Sequence, residues 1–76
     1  MEDDELIKAK IRKNLIECRI EKGLTQTDVG KLVGKSKTAV ASWEQGLSMP
    51  DIATLYRLAL YYEKTIAYMY GEKDSN

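Results

Sequence analysis

Four glycines, at positions 23, 34, 46 and 71, cut this chain into pieces that end before any long helix or continuous sheet can form. Between them the apolar residues recur at helical spacing, and a hydroxyl or carboxylate side chain stands just ahead of most pieces. Stop and start signals of this kind predict short, separately capped helices. Ile7, Ile11, Leu15 and Cys18 fall at intervals of four, four and three, one face of a helix from about Leu6 to Glu21. Thr25, with Asp28 three residues on, has capping-box spacing and opens a second helix from about Gln26 to Val33, with Val29 and Val33 inward. Ser36 caps a third that runs to about Gln45 with Val40 and Trp43 inward. Pro50, the only proline, lies in the loop that follows. Asp51 suits the positive end of a fourth helix, from about Ile52 to Tyr62, with Ile52, Leu55, Leu58, Ala59 and Tyr62 inward. Thr65 caps a short fifth helix through Tyr70, with Ile66 and Met69 inward. The expected fold is all-α, a compact bundle of five short helices. Residues 1–5 read as an acidic flexible start, 6–71 as the domain and 72–76 as a flexible tail.

Seventy-six residues suffice for one domain with a thin core, since a chain this short buries only about 60% of its unfolded surface. A single cysteine leaves no intrachain disulfide, and with no histidine a His/Cys zinc site and histidine acid–base catalysis are excluded. The carboxylates show no catalytic spacing and no glycine loop cradles a phosphate, so no enzyme, metal or cofactor is expected, nor a small-molecule ligand. Cys18 reads as a small buried hydrophobe rather than a redox sensor. No apolar run approaches the roughly 18 residues of a membrane span, and the acidic start lacks the basic residues of a secretory signal. A cytoplasmic setting is the expectation.

Net charge is zero, which alone argues against nucleic acid. Its distribution argues the other way: residues 1–5 carry −4, residues 6–46 carry +5 and residues 47–76 carry −1. A basic stretch flanked by acidic ends is the footprint of a phosphate-binding face, and equally of a solvated mixed-charge helix surface. The motif Gly23-Leu24-Thr25-Gln26, then Val29, Val33-Gly34-Lys35-Ser36, Val40, Trp43-Glu44-Gln45-Gly46 and Pro50 separates these readings. It resembles the phage repressor/Cro (xenobiotic-response-element, lambda-repressor-like) helix-turn-helix family from about Ile11 to Met69. Such a motif needs two helices crossing at about 90–120° through a three- to four-residue turn. Gly34 takes the left-handed conformation that turn requires. Gly30 stands where the family usually has alanine, at the closest approach of the two helices, and gives up roughly 0.5–1 kcal/mol of helix stability there.

The resemblance implies sequence-specific binding of double-stranded DNA by a transcriptional regulator, with the third helix in the major groove. By position, Lys37, Thr38, Ala41 and Ser42 are the expected base contacts. Lysine donates to guanine, threonine and serine are less selective, and alanine offers apolar contact. Gln26, Lys35, Ser36 and Gln45 are the expected phosphate contacts, with Gln26 helped by the helix N-terminus. Each also admits a plain surface role. Arg19 and Glu44 match a family pair that ties the first helix to the third. Family members commonly form homodimers through helices 4 and 5. The tyrosine-rich C-terminal part therefore points to Tyr62, Ile66, Tyr68, Met69 and Tyr70 as the interface, unless they are simply core. Tyr62 and Lys64 depart from the leucine and valine usual in the family. Ile16 and Ile20 form a second apolar stripe on helix 1, and Tyr56 and Leu60 lie off the core face of helix 4. Ile16 and Ile20 either pack on helix 5 or meet another protein. A protein-interaction module, such as an antitoxin or antirepressor of the same fold, is thus the rival to the regulator.

Overall fold

A computed structural model describes residues 3–72, and all its regular structure is helical. The five helices are α1 (Asp4–Glu21), α2 (Gln26–Val33), α3 (Lys37–Gln45), α4 (Ile52–Tyr61) and α5 (Ile66–Met69). The all-α bundle expected from the sequence is the fold observed. Among the described residues no helix is long and apolar enough to cross a membrane.

Each helix starts on a side chain that accepts a backbone N–H left without an intrahelical partner. Asp3, Thr25, Ser36, Asp51 and Thr65 each stand in extended conformation and receive the amide three residues on. The Asp3 cap corrects one boundary. Asp3 Oδ1 accepts from the Leu6 amide at 2.8 Å, so α1 begins at Asp4, and Asp4 and Glu5 occupy its first turn rather than a flexible arm. Acidic residues there complement the helix dipole, a local signal that apolar periodicity alone does not register. Met1 and Glu2 lie outside the described residues. At the other end Glu72 donates its amide to Ala67 O at 3.0 Å; the rest of the expected tail, residues 73–76, lies outside the described residues.

The core combines Ile11, Leu15 and Cys18 of α1, Val29 and Val33 of α2, Val40 and Trp43 of α3, Leu55, Leu58 and Ala59 of α4, and Tyr62 and Met69. Ile7 and Ile66 are only partly buried against it. Ile52, expected inward, is 63% exposed. It opens the first turn of α4, and the buried place is taken by Thr54. Asn14, missed in the sequence, is buried and donates its side-chain amide to Tyr68 O at 3.0 Å and Met69 O at 3.4 Å. It thereby ties α1 to two carbonyls at the end of α5, of which Tyr68 O also accepts the Gly71 amide at 2.9 Å. Its spacing from Ile11, Leu15 and Cys18 was the available signal. Ile16 is partly buried and Ile20 is 62% exposed.

Candidate nucleic-acid interface

The α2–α3 unit is built by local chemistry. Asp28 N donates to Thr25 Oγ1 at 3.0 Å and Thr25 N donates to Asp28 Oδ2 at 2.9 Å, a closed capping box. The Thr25 amide first, and the Thr25 hydroxyl after it, hold the Asp28 carboxyl below its ordinary pKa. Gly34 ends α2 with φ 69°, and the Lys35 amide donates back to Gly30 O at 2.8 Å. Gly30 is where the turn presses closest. A β-carbon added there would stand 2.5 Å from Lys35 O, a backbone atom that moves only with the turn itself. Ser36 Oγ then accepts the Ala39 amide at 3.0 Å and starts α3.

Val40 and Trp43 fix the inner side of α3. Lys37, Thr38 and Gln45 are exposed, as are Lys35 and Ser36 at its N-terminal end. Ala41 and Ser42 are half-buried. The Ser42 hydroxyl pairs with that of Ser48 at 2.7 Å, tying the outer side of α3 to the loop that follows it. No motif or spacing in the sequence marks that pair. Ser36 spends its oxygen on the cap and keeps its O–H to donate. Gln26 is half-buried, and its side-chain amide donates to Glu44 Oε1 at 3.1 Å. Its backbone N–H is among the first of α2, which lack intrahelical acceptors.

Behind this surface lies a polar brace. Arg19 Nε and Nη2 donate to Glu44 Oε2 and Oε1 at 2.8 and 3.0 Å, and Nη1 donates to Leu24 O at 3.0 Å. The two side chains are 18% and 8% exposed. A two-pronged guanidinium–carboxylate contact fixes orientation as well as distance. The bond to Glu44 holds the Arg19 pKa above its ordinary value, against the opposing pull of burial. Gln26 on the same carboxylate joins α2, so α1, α2 and α3 meet at one acidic group. The expected pairing of Arg19 with Glu44 is therefore present, and the links to Leu24 and Gln26 are additions to it.

The residues expected at a dimer interface divide. Tyr62 and Met69 are buried, at 2% and 0% exposure, and the expectation is corrected for both: they fill the core and have no surface to offer a partner. Burial pushes the Tyr62 phenol up to about 12. Ile66 and Tyr68 are half-buried and Tyr70 is 38% exposed. Lys64 lies 4.8 Å from the centre of the Tyr68 ring and 3.7 Å from Glu21 Oε1, which gives that departure from the family a place. Exposed apolar surface lies instead along α4, where Ile52, Tyr56 and Leu60 follow one another at intervals of four, with Tyr61 beside them. Cys18 is buried, and desolvation raises its thiol pKa, consistent with a packing role.

This architecture has relatives. A helix-turn-helix family profile, HTH_3, matches residues 15–69. The chain is 28% identical over 71 residues to the cryptic phage CTXphi transcriptional repressor RstR of Vibrio cholerae, covering 93% of this chain and 60% of that protein. It is also similar to the crystal structure of an HTH_3 family transcriptional regulator from Vibrio cholerae, with a TM-score of 0.76 and 30% identity over 91% of this chain and 39% of the other. It thus spans less than two thirds of either relative. With the capping box, the Gly34 turn and the Arg19–Glu44 brace in place, and with the profile covering most of its length, the chain belongs to the HTH_3 helix-turn-helix family.

Proposed function

We propose that this protein is a transcriptional regulator, a repressor by its likeness to a phage transcriptional repressor, that binds double-stranded DNA with α3 in the major groove. The observation that carries this reading is the outer side of α3. Lys37 and Thr38 stand exposed one after the other at its first turn, on a helix that Arg19, Glu44 and Gln26 brace from behind. With Ala41 and Ser42 they supply the base contacts. Lys35, Ser36, Gln45 and the Gln26 amide supply phosphate contacts that set register and carry no sequence information. That one of the relatives bears the name of a phage transcriptional repressor supports the same reading.

One such helix reads few base pairs, so the working form is a homodimer on a pseudo-palindromic operator, with half-sites roughly 34–36 Å apart. Tyr70, with the half-buried Ile66 and Tyr68, remains from the expected interface, and the exposed stripe of α4 adds to it. Selection of bound sites from random duplexes tests both parts. A two-fold motif with that spacing is expected, and a Lys37→Ala variant should lose preference at one base pair, by about 1–3 kcal/mol. Binding that is insensitive to salt between about 50 and 200 mM would overturn the reading, because phosphate contacts release counterions. It would favour the second reading, a protein-interaction module, for which the exposure of Ile20 speaks.

A further inference from the structure

The family match begins at Leu15, so the stretch of α1 from Asp4 to Asn14 precedes it. Four cations lie within that stretch: Lys8, Lys10, Arg12 and Lys13. They divide between two sides of the helix. Lys10 and Lys13 lie near Asn14 and Gly71, on the α5 side. Lys8 and Arg12, four residues apart, line a cleft of about 260 Å³ whose opposite wall is Gly46, Leu47 and Ser48. Arg12 is seated against that wall, since a β-carbon at Gly46 would collide with its guanidinium. Gly46 is the C-cap of α3, and Ser48 is the residue whose hydroxyl pairs with Ser42. The cleft therefore opens beside the C-terminal end of the helix proposed to read DNA.

We infer that Lys8 and Arg12 form a second phosphate anchor, at the end of α3 opposite Lys35 and Ser36; this rests on the DNA-binding reading. From Ser36 to Gly46 the helix spans roughly 15 Å at 1.5 Å per residue. The major groove is about 12 Å wide. A helix laid in it brings its two ends beside two different stretches of phosphate backbone. The N-terminal end has its amides and Lys35; the C-terminal end, the negative end of the helix dipole, has a guanidinium and an ammonium brought from another helix. Arginine suits this place because its planar fork grips two phosphate oxygens at once. Glu5 also lines the cleft and opposes the anchor, which makes it a test in its own right.

The test uses the full chain and a random-sequence duplex, where phosphate contacts supply essentially all the affinity. The slope of log affinity against log salt is measured for the parent, Lys8→Gln, Arg12→Gln and their double variant. Lys13→Gln serves as the control, removing the same charge from the other side of α1. Each anchor variant should flatten the slope by about 1 and weaken binding to all sequences alike, and Lys13→Gln should leave the slope unchanged. Glu5→Gln should tighten binding. Thermal melts verify that the variants fold, and Lys8→Gln, an exposed side chain, tests the anchor even if Arg12→Gln does not. A double variant with the parent slope, or a Lys13→Gln loss as large as the others, overturns the anchor while leaving the regulator intact. A parent chain that binds no duplex overturns both.

Discussion

The chain contains two helix–turn–helix units, and they differ in what they present to solvent. The α2–α3 unit turns at Gly34 and shows Lys35, Ser36, Lys37 and Thr38. The α4–α5 unit turns at Glu63, the one described non-glycine residue with positive φ, at 57°, and shows Ile52, Tyr56, Leu60 and Tyr61. The architecture is alike, a capped helix, a left-handed residue and a second cap, yet one outer surface is polar and the other apolar. Polar side chains with unused donors suit a charged, hydrated partner, and tyrosine and leucine suit a protein. On the proposed reading, the two similar units meet different partners.

Four substitutions sharpen or break this contrast. The largest effect is expected from Arg19→Leu, which strands the Glu44 carboxylate that α2 and α3 share. Removing one partner of a fully buried pair costs about 3–5 kcal/mol; this pair is part-buried and Gln26 stays on the carboxylate, so the loss should lie at or below about 3 kcal/mol. Chemical denaturation should show that loss, with DNA preference altered only as far as the fold is lost; normal stability with changed specificity would contradict the brace. Gly30→Ala comes next. Alanine improves the helix by roughly 0.5–1 kcal/mol, but its β-carbon meets the Lys35 carbonyl, and overpacking costs about 1–3 kcal/mol. The net should be a loss of about 1–2 kcal/mol; a raised melting temperature would show that the turn yields freely.

The second unit should respond with the opposite sign. Glu63→Gly relieves a left-handed residue, worth roughly 1–2 kcal/mol, and forfeits the exposed ion pair with Lys22, which solvent screens. A net gain in stability is expected, and a loss would mean that the ion pair outweighs the strain. The smallest effect belongs to Asp28→Asn. The native fold lowers the Asp28 pKa, so the charge contributes stability above the ordinary aspartate pKa and loses it as pH falls through the lower folded value. The stability difference between parent and variant should be present near pH 7 and shrink in acid; a difference constant with pH would assign it to something other than ionisation.

What was legible in the sequence was the local part. Caps and stops act within three or four residues, so the start of α2, the Gly34 turn and the end of α3 could be read directly. Arg19 and Glu44 were found by resemblance, since nothing local joins residues 25 apart in sequence. Tertiary facts were harder. Whether Tyr62 or Met69 faces a partner or the core depends on how α4 and α5 close on α1, and hydrophobicity alone says only that each will be covered by something. Asn14 stayed hidden because a polar residue on an apolar face reads as an interruption until its acceptors, 54 and 55 residues away, are in place.

If α3 reads DNA as proposed, the Ser42–Ser48 pair bears on how strictly an operator can be enforced. Either oxygen can be the donor, so the couple can rotate to offer a hydrogen or a lone pair without moving the backbone. A position read by so ambidextrous a group would tolerate exchange of one base for another. Discrimination would then concentrate on Lys37, which only donates, and a small set of related operators, rather than one strict sequence, would be served by the same helix.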